Sequence, residues 1–151
     1  MNLHIPEGKK LRKTIMLGSI FLFLVSLTQK CYCTKAECSD SIMVFLLGWV
    51  ALLSGGIGLT WLAHPLLFAS RLALNKKPKA SMFLSVFTAL LSLSFLLFDS
   101  VLDNESNQKH PIISCQPGYW LWMASALCML LGTFVLVFRH NTRIARARHQ
   151  G

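Results

Sequence analysis

A chain of 151 residues with a mean hydropathy of +0.52 and only 14% charged residues is sized for one domain, 1–151, and leaves no room for a separate soluble catalytic domain. Its formal charge of +9 would suit a nucleic-acid binder, but the cations flank long apolar stretches instead of forming one basic face. No nucleic-acid partner is expected; membrane lipid is.

Four apolar stretches organise the chain: roughly 14–29, 42–70, 81–102 and 119–138. None contains Lys or Arg, and the only acid is Asp99, near the end of the third. All but the first approach or exceed the ~20 apolar residues that cross a hydrocarbon core of about 30 Å. Backbone in lipid is satisfied only within helices or closed barrels, and the runs lack the period-two alternation of barrel strands. The expected fold is therefore an all-α membrane protein, a bundle of four transmembrane helices.

Before the first stretch stand Lys9, Lys10, Arg12 and Lys13. Arg71, Lys76, Lys77 and Lys79 lie between the second and third, and Arg139, Arg143, Arg146 and Arg148 follow the fourth as a basic tail, 139–151. Only Lys30, Lys35 and Lys109 fall on the other side, among the acids Glu37, Asp40, Asp103 and Glu105. By the positive-inside rule both termini are expected in the cytoplasm. Compact loops suggest a bacterial inner membrane. The first stretch also reads like a secretory signal, but Ser26-Leu27-Thr28-Gln29-Lys30 offers no small-x-small cleavage site and Lys30 precedes Cys31, so an uncleaved anchor is expected.

The first outer connection contributes Cys31, Cys33 and Cys38, and the second contributes Cys115 before Gln116-Pro117-Gly118. On the non-cytoplasmic side these are candidates for disulfides. Three full pairings are open, although Cys31 and Cys33 are too close in sequence to pair comfortably. A bond from either to Cys115 would tie the two outer connections. The layout is similar to four-helix membrane enzymes that pass electrons from thiols to quinone. Those use Cys-x-x-Cys pairs, whereas this chain has Cys-x-Cys, a single cysteine in its second loop and no Arg at the outer end of the second stretch. Zinc held by the four thiolates is a further reading, with unusual spacing. No metal or other cofactor is expected.

In the second stretch Gly48, Ala51, Gly55 and Gly58 recur at steps of three and four, with Ser54 and Gly58 as a small-xxx-small pair. On a helix they share one face, a seam for another helix. Gly55-Gly56 is a weak point, and Pro65 predicts a kink or helix end. Trp61 reads as an interface anchor, and His64 beside it as a residue at the cytoplasmic headgroups or, alternatively, a proton relay. The third stretch carries Ser81, Ser85, Thr88, Ala89 and Ser92 at helical steps, for helix packing or for a pore lining. The sequon Asn104-Glu105-Ser106 stands close to its end. The fourth opens with a collar of Tyr119, Trp120 and Trp122, then Ala124, Cys128 and Gly132 at steps of four. No carboxylate lies at mid-depth, against proton-coupled transport. The loop signatures of claudins and tetraspanins are missing, as are the usual catalytic motifs. The expected function is contact with a membrane protein partner or with copies of itself, as an accessory subunit, assembly factor or immunity-type protein whose outer loops are clasped by disulfide. A thiol–disulfide oxidoreductase is the alternative, and an oligomeric channel the third.

Overall fold

The computed structural model describes residues 6–35, 37–54, 56–102 and 109–149; Gly55 and the sequon Asn104-Glu105-Ser106 lie outside them. Helix α1 (Pro6–Leu27) is followed by strands β1 (Lys30–Thr34) and β2 (Cys38–Asp40), then α2 (Ser41–Leu47). Two 3₁₀ segments, Val50–Ser54 and Gly56–Leu62, lead into α3 (Ala63–Lys76). Next come α4 (Pro78–Ser94) with a 3₁₀ turn (Phe95–Leu97), strands β3 (Ser100–Leu102) and β4 (Lys109–Cys115), and α5 (Pro117–His149).

This corrects the all-α, four-pass reading. Among the described residues two helices are long and apolar enough to cross a membrane: Pro78–Leu97, 20 residues, and Pro117–Thr142, 26 residues. Helix α1 spends its first turns on Lys9, Lys10, Arg12 and Lys13, which leaves an apolar part shorter than a span. The stretch 42–70 is no single helix. Its first α-helix ends at Leu47 and the chain continues as 3₁₀ segments before α3, whose 14 residues at ~1.5 Å each reach only about 21 Å. The third stretch ends as helix at Leu97, and Ser100–Leu102 is a strand. The side expected for the termini rests on the four-pass topology and falls with it.

The expected outer loops are a sheet. Its strand order is β2-β1-β4-β3, and every neighbouring pair is antiparallel. The β-prone run Lys30-Cys31-Tyr32-Cys33-Thr34 takes an inner position. Tyr32 stands opposite Cys115 and Cys33 opposite Ser114, so backbone pairing of β1 with β4 joins the two connections. Cys33 also faces Cys38 across the β1–β2 pair, and these two form a disulfide.

Helix α5 runs antiparallel to α1 on one side and to α4 on another, while α3 and α4 form a hairpin at Lys77-Pro78. Close approach of α1 and α5 rests on small residues: Gly18 faces Cys128, and a Cβ at Gly132 would sit 2.8 Å or less from three carbons of Ile15. The α3–α4 hairpin is pinned by serines. Ser70 Oγ lies 2.7 Å from Ser85 Oγ and 3.1 Å from Ser81 Oγ. Thr88 and Ser92 bond back to the carbonyls of Leu84 and Thr88, so the hydroxyl stripe of α4 is spent on packing. The start of α1, the α3–α4 turn and the part of α5 around Val137 and His140 converge at one end of the molecule, where Arg12 donates to the Asn75 carbonyl at 3.0 Å. The sheet occupies the opposite end.

Candidate functional site

Between the sheet and the helix ends beneath it lies a cavity of about 450 Å³. Helix α1 supplies Phe23, α2 supplies Val44, β1 supplies Cys31, α3 supplies His64, and α5 supplies Tyr119 and Trp122. The elements converge there because α5 starts against β1. Pro117 suits the first helical turn, where its missing N–H costs nothing. At Gly118 a Cβ would run into Ser41 Oγ and the Lys30 carbonyl. Only glycine lets helix and strand meet so closely.

His64 is buried and stacks on Trp122, with ring centroids 4.8 Å apart and planes at 14°. Its Nδ1 is 3.0 Å from the Trp61 carbonyl oxygen, so Nδ1 carries the proton and Nε2 the free lone pair. Expected at cytoplasmic headgroups, His64 is instead buried beside the cavity at the sheet end of α3. Trp61 is half-buried and donates from Nε1 to the Phe45 carbonyl at 2.9 Å, at the open end of α2. Of the expected collar, Trp120 is exposed at 52%, whereas Tyr119 and Trp122 are buried in the core. Tyr119 donates to the Ser92 carbonyl at 2.8 Å, while Trp122 Nε1 is buried with no partner.

Gly48, Ala51 and Gly58 do come together, but not as one face of a long helix. A Cβ at Gly48 would strike Trp61, and one at Gly58 would strike the Ala51 carbonyl. They let the two 3₁₀ segments fold back on each other beside the cavity.

The four cysteines gather on β1, β2 and β4 in two different states. Cys33 and Cys38 are bonded, while Cys31 and Cys115 are free thiols, so no bond to Cys115 ties the loops. Burial pushes the Cys31 thiol up to about 12; the Cys115 sulfur adds to this and the Ser41 hydroxyl opposes it. Burial also raises Cys115. Among the described residues no group of three or more His, Cys, Asp or Glu side chains is placed to hold a metal ion.

Arg71, expected as a cation outside the apolar stretches, is 5% exposed and lies inside the helix layer. Its Nη2 donates to Ser19 Oγ at 2.9 Å, the Ser19 carbonyl at 3.0 Å and Ser125 Oγ at 3.0 Å, and the guanidinium lies 5.2 Å from the Phe23 ring centre. A signal for this exists in the sequence: Leu67, Ser70, Arg71 and Leu74 follow His64 at steps that keep one helix face, and all are buried.

No protein-family model, curated protein or solved structure matches the chain.

Proposed function

We propose that this chain is a small membrane-embedded protein of a bacterial inner membrane that works by contact with another membrane protein or a second copy of itself. Accessory subunit, assembly factor and immunity-type protein are the roles that fit. The observation that carries this reading is the apolar surface of α2 and of the turn after it. Ile42, Met43, Leu46, Leu47 and Trp49 are each about half exposed, and the helix, at seven residues, is too short to cross lipid. They lie beside β2, which pairs on one side only, with β1. An exposed apolar patch next to an open strand edge is a surface built for a partner. The Cys33–Cys38 bond holds that edge in place.

Photo-crosslinking side chains at Leu46 and Trp49, compared with Phe87 and Phe134 on the two long helices, test the proposal in intact membranes. Discrete protein adducts are expected from the first two positions and lipid adducts from the others. Lipid adducts alone at all four contradict it.

The thiol–disulfide oxidoreductase is the second reading, favoured by the placement of Cys31 at the cavity. Burial argues against it, because the thiolate is the attacking species and Cys31 holds its proton. Alkylation trapping with respiration running and stopped separates the two. A contact protein keeps Cys33 and Cys38 oxidised and Cys31 reduced under both conditions, whereas a respiration-dependent shift in any of them favours the enzyme.

A further inference from the structure

The cavity beneath the sheet has the size and the wall of a ligand site. Its volume of about 450 Å³ falls within the ~300–1,000 Å³ of small-molecule pockets, whose apolar walls carry a few placed polar groups. Phe23, Val44 and Phe95 are among the apolar lining residues, and the exposed Glu37 and Asp40 with several hydroxyl side chains also line it. Two polar groups stand out. His64 donates from Nδ1 to the Trp61 carbonyl, which leaves Nε2 as its second polar atom. Trp122 is 8% exposed, and its Nε1–H is a buried donor without a partner. Buried indole N–H groups are normally paired, since an unmet donor costs more than its bond returns. A hydrocarbon chain in the cavity would leave this donor unmet.

We infer that the cavity binds a neutral, lipophilic ring compound bearing a carbonyl oxygen, and that this oxygen accepts from Trp122 Nε1. Ring walls suit a ring, and a neutral one fits a lining that, among the described residues, holds no Lys or Arg and includes the carboxylates of Glu37 and Asp40. Trp122 lines the cavity while its Nε1 is itself buried, so the oxygen reaches the N–H only once the indole turns. Met43 and Leu47 of α2 and Cys38, Ser39 and Asp40 of β2 line the cavity as well as the proposed contact surface, but binding of a small probe is read separately from any protein contact.

Duroquinone and durene, which share one methylated ring and differ by the two carbonyl oxygens, are the probes. Each is titrated calorimetrically into the full-length protein in detergent. Duroquinone should bind saturably and about fivefold or more tightly than durene, the worth of one hydrogen bond. Trp122→Phe keeps the packing and removes the N–H, and should bring the two affinities together; Trp120→Phe, on the exposed ring, should not. Val44→Phe fills the cavity from α2 while keeping Trp122, and should abolish both bindings even if Trp122→Phe does not fold. No saturable binding, equal affinity for the two probes, or a duroquinone preference that survives Trp122→Phe or Val44→Phe would overturn the inference.

Discussion

Cys31 shows how much one position can hide. As a letter in Cys31-Tyr32-Cys33 it is a candidate for bonding. In the fold it is a buried thiol whose proton is held up to about 12, against 9.0 when unburied. Between those values the unfolded chain has released a proton that the native protein still binds, so stability falls as pH climbs above about 9 and is untouched below. Thermal midpoints of the wild type and Cys31→Ala from pH 7 to 11 check this: the wild type should lose more than the variant above pH 9, and parallel curves would refute it. That Cys31, Cys33, Cys38 and Cys115 lie on the two connections between apolar stretches was legible. Which cysteine faces Cys38 was not, because strand register decides it and pattern does not. Gly118 was equally silent, since its need comes from Lys30 and Ser41, distant in sequence.

At the scale of elements, the Arg71 clamp joins α1, α3 and α5. Ser19 and Ser125 also bond each other, with Ser125 Oγ donating to the Ser19 carbonyl at 2.8 Å. Removing the arginine therefore leaves no orphaned group, whereas removing Ser19's hydroxyl strips a buried cation of an acceptor. Arg71→Met should cost less than about 1 kcal/mol, and Ser19→Val about 1.5–3 kcal/mol, the range for hydrogen bonds to charged groups. The double variant should recover most of the Ser19→Val loss. Urea or thermal unfolding in detergent reads all three, and a larger loss for Arg71→Met than for Ser19→Val contradicts the clamp. The hydroxyl stripe of α4 and the Cys128–Gly132 face of α5 were visible in the sequence because both elements are single helices. The stretch 42–70 deceives for a physical reason. Apolarity reports burial or lipid, not continuity, and steps of three and four fit a 3₁₀ turn packed on itself as well as an α-helical face. The strands escape notice because three to seven residues between strongly apolar runs carry little pattern of their own.

Over the whole molecule, α4 and α5 form an antiparallel pair of span-length helices, with the sheet at one end and the basic turns at the other. The cation clustering that is plain in the sequence is this second end, less Arg71, which belongs to the interior. The surface between the two ends is apolar: Phe83, Phe87 and Leu90 on α4 and Leu131, Phe134 and Phe138 on α5 are all more than half exposed. In water such a belt would aggregate; in lipid it is solvated. The most direct test labels the two ends with a membrane-impermeant maleimide. Ile113→Cys on β4 and Arg146→Cys on the last turns of α5 are each placed in a chain whose Cys31, Cys115 and Cys128 are serine and whose Cys33–Cys38 bond is kept. In sealed cells one of the two should label and the other only after the membrane is opened. Labelling of both, or of neither, before the membrane is opened would contradict a pair of crossing helices that carries its sheet on one side and its cations on the other.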